Sequence, residues 1–297
     1  MILLTGASGF IGRHLLSALI HTYGKENVLA LTSAPVEGCQ YLLHNNYTFH
    51  PEYLTENKIA AQTDTIIHAG AFTPKTGNRA NDWSACNSNI FSTHQLLSAG
   101  LPALKKVIYL STLDVYGSDE IISENSPVQP LSLYGESKLY SEKMIAAWAE
   151  EVHKTYQILR VGHVYGPGEE AYQKIIPVTI NKLLQNERPQ IWGTGDEVRS
   201  FIYITDIVSA ILEAIKLSEN AGVINITGGN KITVNELVNK LVLLNGKNLH
   251  PERIQSGTKG RDLIFDNTKM KKLLLPEETP FDTGLFEEWQ YMKKLKA

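Results

Sequence analysis

A tyrosine and a lysine stand four residues apart in Tyr134-Gly-Glu-Ser-Lys138, the spacing that puts two side chains on one face of a helix. A phenol that ionises at about pH 10 is a poor base at neutral pH, but a neighbouring ammonium stabilises its phenolate. Such a pair can move a proton to or from an alcohol or sugar oxygen. Two hydroxyls, Ser111 and Thr112, end the apolar run that starts at Lys106 and could converge with the pair on one C–O bond. At the start of the chain, Met1-Ile-Leu-Leu-Thr5 runs into Gly6, Gly9 and Gly12, spaced G-x-x-G-x-x-G. That order reads as strand, tight turn and helix, in which backbone N–H groups and the helix dipole meet a pyrophosphate. A dinucleotide is the expected ligand.

These groups cooperate only if the fold brings them to one edge. Short apolar runs at Asn27 to Thr32, Thr65 to Ala69, Lys106 to Ser111 and Tyr156 to Val161 read as buried parallel strands, each followed by enough chain for a crossover helix. Arg13 to Tyr23 has helical spacing of Leu15, Leu16, Leu19 and Ile20, and Gly24 ends it. The expected fold class is α/β, a doubly wound parallel (Rossmann) sheet whose ligands lie beyond the carboxyl ends of the strands. The character changes at Gly166-Pro-Gly168, after which Pro, Gly and charge increase. Phe201 to Asp206, a helix from Ile207 to Lys216 and Gly222 to Thr227 read as elements returning to the main sheet. The expected organisation is a dinucleotide-binding domain over 1–165 and 200–227, with a smaller, discontinuous C-terminal substrate lobe over 166–199 and 228–297.

With 297 residues, 43% of them hydrophobic, the chain can bury a large core. A net charge of −3 without a basic block argues against nucleic acid and against an anionic membrane surface. Cys39 and Cys86 form no metal-ligand or disulfide pattern, so no metal is expected and Cys86 reads as a buried small hydrophobe. The first strand begins at Met1 and no apolar run approaches the roughly 20 residues of a membrane span, so a cytoplasmic location is expected.

Taken in order, Gly6 to Gly12, Ser111-Thr-Leu-Asp-Val-Tyr-Gly117, Tyr134 to Lys138, Arg160-Val-Gly-His-Val-Tyr-Gly-Pro-Gly168 and Gly193 to Asp206 resemble the extended short-chain dehydrogenase/reductases, and among them the NAD-dependent epimerase/dehydratase group. The resemblance implies a nucleotide-sugar substrate, with Thr112 bonding its reacting oxygen, Tyr134 as general acid/base and Lys138 bonding the nicotinamide ribose while tuning Tyr134. It implies cofactor contacts from Gly6, Gly9, Phe10, Ile11, Gly12, Thr32, Ser33, His68, Ala69, Gly70, Asn89 and Ser111, beside Tyr134 and Lys138. It implies substrate contacts from Thr73, Asp114, His163, Arg199 and Arg261, with Arg199 on a phosphate. Other positions keep two readings: Arg160 as a strand-end structural residue, Tyr165 as core packing or a sugar platform, and Asp206 as the cap of the helix after it. The resemblance also implies a homodimer, for which Tyr140, Met144 and Trp148 form an apolar stripe that packing within the monomer would explain as well.

Two departures from the family pattern shape the expected reaction. The second strand ends in Thr32-Ser33-Ala34, where NAD-preferring relatives carry an acid for the adenosine ribose, so NADP(H) is favoured over NAD(H). Leu113 and Asp114 replace the acidic pair of the 4,6-dehydratases, and Leu113 cannot transfer a proton. The reading that follows is a 4-ketoreductase of a nucleotide 4-keto-6-deoxysugar, with a 4-epimerase holding bound NAD as the alternative. A 4,6-dehydratase and a non-catalytic dinucleotide-binding regulator stand behind these.

Overall fold

The computed structural model describes residues 1–117, 121–247, 249–255 and 260–296. Six strands alternate with helices through the first half: β1 (Ile2–Thr5), α1 (Phe10–Tyr23), β2 (Val28–Thr32), β3 (Gln40–Leu43), α2 (Pro51–Thr55), β4 (Thr65–His68), α3 (Trp83–Ser98), β5 (Lys106–Thr112), α4 (Leu133–Glu151) and β6 (Thr155–Val161). The second half adds β7 (His163–Tyr165), α5 (Ile175–Leu184), β8 (Gln190–Trp192), β9 (Val198–Arg199), β10 (Phe201–Tyr203), α6 (Ile204–Lys216), β11 (Val223–Ile226), β12 (Ile232–Thr233), α7 (Val234–Asn245), β13 (Glu252–Ile254), α8 (Thr268–Leu273) and α9 (Phe281–Leu295).

Seven strands form one parallel sheet in the order β11-β6-β5-β4-β1-β2-β3. Strands β1, β2, β4 and β5 are buried throughout because both faces of the sheet are covered, and successive side chains feed two separate cores. Leu4, Ile67 and Ile108 point to the side of α1 and α6, where Leu15, Leu19, Ile207 and Ile211 close the larger core. Leu3, Ile66, Val107 and Tyr109 point to the opposite side, against Leu54 of α2, Leu96 and Leu97 of α3 and Ile145 of α4. The doubly wound α/β sheet expected from the apolar runs is therefore present.

Three elements differ from their sequence reading. Strand β3, an edge strand with three exposed residues of four, lies outside the expected set, because its apolar run, Tyr41 to Leu43, is too short to stand out. Only β11 rejoins the main sheet. Strand β10 pairs instead with β7, in register Phe201 to His163 and Tyr203 to Tyr165. Helix α6 begins at Ile204 rather than Ile207, so Asp206 lies inside its first turn and does not cap it. Its carboxylate accepts hydrogen bonds from the Thr279 backbone N–H and hydroxyl at 2.9 and 2.7 Å, tying α6 to the segment that leads into α9.

Candidate active site

The glycine turn is built by close approach. Gly6 has φ +75°, and a β-carbon there would lie 2.6 Å from the Gly70 backbone; one on Gly12 would lie 1.9 Å from the Gly6 carbonyl oxygen. Gly9 is less crowded, since a β-carbon added to it would meet the Gly6 carbonyl oxygen only at 3.2 Å. Backbone bonds from Gly6 N to the Leu31 carbonyl and from Gly9 N to the Gly6 carbonyl lock the turn at the end of β2 and over α1.

This turn opens into a cavity of about 860 Å³ beyond the carboxyl ends of the strands. Gly6, Gly9, Phe10, Ile11, Gly12 and Ser33 line one end, and Ala69, Gly70 and Thr73 follow β4. Ser111, Thr112 and Asp114 come from the end of β5, Tyr134 and Lys138 from the first turns of α4, and His163 and Arg261 from the second half. An elongated, glycine-floored groove at a helix N-terminus fits a dinucleotide, with room beside it for a second ligand. A nicotinamide dinucleotide held there would supply a hydride acceptor or donor.

Four expected site residues stand behind or beside this wall. Thr32 is fully buried, its hydroxyl 3.1 Å from the Ala34 carbonyl, which accepts its proton, and 3.0 Å from Ser8 Oγ. His68 sits between Thr5 Oγ1 at 2.8 Å and Thr93 Oγ1 at 3.0 Å, while Thr5 Oγ1 accepts from Gly70 N. Burial, aided by the Lys138 charge, lowers His68 to about 3, so it is a neutral strut for the cavity backbone at Ala69 and Gly70. Asn89 accepts from Phe72 N at 2.7 Å and donates to the Phe72 carbonyl and to Ser137, fixing the same stretch to α4. Arg199 lines a second cavity of about 210 Å³, together with His163, Glu169, Lys174 and Phe201. Its Nη1 donates to the carbonyls of Val198 and Arg261.

At the reacting end, Thr112 Oγ1 accepts from Asp114 N at 3.2 Å. Burial and the nearby Asp114 carboxyl raise Tyr134 above the usual phenol range, against the hydroxyls of Thr73 and Thr112. The Lys138 ammonium lies under the site, 2.6 Å from the Leu110 carbonyl and 4.2 Å from the Tyr109 ring centroid, and burial lowers it to about 7 against the Glu142 charge. Burial is thus the largest influence on Tyr134.

Ser111 reaches the cavity wall but donates its hydroxyl to Glu142, which also receives two bonds from Arg160 at 3.0 and 2.7 Å. Arg160 stacks over Tyr116, whose hydroxyl bonds Asn225 at 2.8 Å, so Arg160 is a structural residue joining α4 to the ends of β5, β6 and β11. Leu113 packs with Val115, Tyr116, Ile122, Leu139 and Phe265 and also lines the cavity, where its side chain has no proton to transfer. Asp114 stays at the cavity, its carboxyl raised by confinement and lowered by Arg261 and Lys174. His163 is held neutral, lowered to about 3 by burial and by the charges of Lys174, Arg199 and Arg261, and its Nδ1 has no hydrogen-bond partner among the described residues. Tyr165 is core: it packs on Phe201, Tyr203 and Phe281, and its hydroxyl donates to the Phe281 carbonyl.

Sequence reasoning missed Lys174, Ser8, Tyr47 and Tyr172, all on the cavity wall. Ser8 occupies a variable position of the glycine motif, and Lys174, Tyr47 and Tyr172 belong to no spaced motif and arrive through loops. Among the described residues no group of three or more His, Cys, Asp or Glu side chains is placed to hold a metal ion, and no helix is long and apolar enough to cross a membrane.

Comparison with known proteins matches residues 2–227 to the NAD dependent epimerase/dehydratase family. The dTDP-D-glucose 4,6-dehydratases of Bos taurus and Homo sapiens are each 30% identical over 259 residues, covering 82% of this chain and 72% and 73% of theirs. The UDP-glucuronic acid 4-epimerase of Bacillus cereus, solved with NAD, superposes with a TM-score of 0.84 at 26% identity, covering 100% of this chain and 99% of its own. The UDP-glucose 4-epimerase of Thermotoga maritima, solved with UDP-glucose, does so at 0.87 and 25%, with the same coverage. A glycine-floored dinucleotide groove, a Thr-Tyr-Lys cluster at its far end and these likenesses lead to one assignment: the chain is an enzyme of the NAD-dependent epimerase/dehydratase family.

Proposed function

We propose that this enzyme moves hydride at C4 of a nucleotide-linked sugar, and that it is a 4-epimerase working with NAD. The observation that carries the C4 chemistry is the convergence of Thr112, Tyr134 and Lys138 on the cavity floored by Gly6, Gly9 and Gly12. Thr112 and Tyr134 hold the C4 oxygen, Tyr134 takes or gives its proton, and Lys138 supplies the cationic field beneath. Leu113 argues against 4,6-elimination, because its side chain is packed in a hydrophobic cluster and can protonate no leaving hydroxyl.

NAD is favoured at the adenosine end because the Thr32 hydroxyl is committed to Ser8 and Ala34 and is not available to a 2′-phosphate. The NAD and UDP-sugar complexes of the two 4-epimerases support the same reading. A second reading, the 4-ketoreductase with exchangeable NADPH, draws on the exposed hydroxyls of Ser8 and Ser33, which lie 3.4 Å apart with no acid at the end of β2. We also propose that the enzyme is a homodimer.

The deciding experiment offers UDP-, dTDP-, GDP- and CDP-sugars and their 4-keto derivatives to the purified protein, with NMR detection of products. An epimerase releases NAD on denaturation and converts a sugar nucleotide to its C4 epimer without added cofactor. Stoichiometric consumption of NADPH with a 4-keto sugar, and no epimer, would establish the reductase instead. In either case Tyr134→Phe should lower turnover by about 10²- to 10⁴-fold while the cofactor still binds.

A further inference from the structure

Two buried acids beneath the second cavity take no part in the chemistry above. Glu169, on a short turn (Glu169–Ala171) after Gly168, and Glu288, in the middle of α9, are each 1% exposed. Glu288 accepts a hydrogen bond from Gly166 N at 3.0 Å. Its other oxygen and both oxygens of Glu169 have no well-directed hydrogen bond among the described residues. The cation beside them is Lys174, immediately before α5, whose Nζ lies 2.9 Å from Glu169 Oε1 and donates to the Val164 carbonyl at 3.3 Å. One ammonium thus serves two buried carboxyl groups, and two full negative charges there would be costly.

Burial is the main cause that raises both acids. Glu169 is pushed up to about 7 and Glu288 well above the usual carboxylate range; Glu169 and Glu170 raise Glu288 further, and Lys174 pulls both down. Tyr165 from β7 and Tyr203 from β10 also face Glu288, and neither carries a compensating positive charge.

Lys174 faces outward as well. It is 38% exposed and lines both cavities together with His163. Its charge converges on His163 with those of Arg199 and Arg261, forming a positive rim between the reacting end and the smaller cavity. Of these three, Lys174 is a point charge on a flexible stem, held by an acid that a proton can neutralise.

Resting on the reading that the substrate is a nucleotide-linked sugar, we propose that Lys174 is a substrate-binding cation that leaves Glu169 for the nucleotide diphosphate, and that the Glu169–Glu288 pair then takes up one proton. The proton comes from solvent and forms an O–H bond on a carboxylate oxygen of the pair; no other covalent bond changes. Substrate binding is thereby coupled to protonation at the joint between the turn after Gly168 and α9.

Calorimetric titration of the NAD-loaded protein with UDP, dTDP, GDP and CDP, at about pH 8 in two buffers of different ionisation enthalpy, tests this above the value near which Glu169 titrates. Wild type should bind at least one of the four with uptake of close to one proton. Lys174→Met should weaken that binding roughly ten- to hundred-fold. Glu169→Gln should bind at least as tightly as wild type with no proton uptake, a split that a merely structural acid would not produce. The double variant Lys174→Met with Glu169→Gln removes the ion pair as a unit, so it should fold and still bind weakly. Unchanged affinity in a folded Lys174→Met protein, or binding by wild type without proton uptake, overturns the inference alone. If wild type binds none of the four nucleotides, the nucleotide-sugar reading falls first and carries this one with it.

Discussion

Lys138 shows how far a side chain's chemistry depends on where the fold puts it. Its ammonium is buried against the Leu110 carbonyl and the Tyr109 ring, and burial lowers it from 10.5 to about 7. Below about 7 it is charged in both the folded and unfolded chain. Above that value the folded chain loses the proton while the unfolded chain keeps it up to 10.5, so this group makes stability rise with pH across that window. Lys138→Met removes the cost of charging a buried amine. Its stability relative to wild type should therefore be greatest near pH 6 and shrink as pH rises, which denaturant melts at several pH values will measure. A difference that stays flat with pH would mean that Leu110 and Tyr109 hold the ammonium charged throughout. The sequence made Thr112, Tyr134 and Lys138 legible because a strand end and a helix repeat fix which way they face. Thr32, His68 and Asn89 were harder, since only the paired sheet and the packing of α3 on α4 decide that these polar groups turn inward. Lys174 left no trace, because a loop brings it to the cavity.

At the level of elements, the joint between β1 and α1 depends on two glycines in different ways. A β-carbon at Gly12 would sit 1.9 Å from the Gly6 carbonyl oxygen, deep in backbone, so Gly12→Ala must push the helix off the turn. A cost of about 3 kcal/mol or more is expected, with loss of dinucleotide binding. At Gly9 the nearest atom is 3.2 Å away, so Gly9→Ala should keep the fold nearly intact and act mainly on cofactor affinity. Thermal melts alongside NAD binding separate the two; equal melting temperatures would refute the packing argument. A second joint is the Glu142–Arg160 pair, 6% exposed on both sides, which fastens α4 to β6 while Ser111 fastens it to β5. Glu142→Gln strands a buried guanidinium and should cost about 3 to 5 kcal/mol, whereas Glu142→Met with Arg160→Met should recover much of that in denaturant unfolding. The apolar runs foretold five of the seven sheet strands plainly, and β11 through its return to the sheet. Strand β3 escaped because it is a short edge strand, paired to β2 alone, with three of its four side chains exposed.

At the scale of the molecule, the face opposite the larger core carries an apolar surface that the monomer leaves open. Trp83 and Phe91 of α3 are 75% and 48% exposed, and Tyr140 of α4 is 56% exposed, on two helices that pack against each other. The stripe anticipated from sequence divides here: Tyr140 turns outward, while Met144 and Trp148 are half-buried against the core beneath. Three large side chains on adjacent helices can be covered by the same face of a second copy, which gives a closed two-fold contact without further surface. An interface of about 800 Å² per partner is the ordinary size for such a contact. Light scattering should therefore give twice the chain mass for wild type and the single mass for Phe91→Glu with Tyr140→Glu. Because α4 also carries Tyr134 and Lys138, the monomeric variant should lose turnover several-fold while still binding NAD. A wild-type monomer would refute the dimer, and a variant that remains dimeric would place the subunit contact on another face.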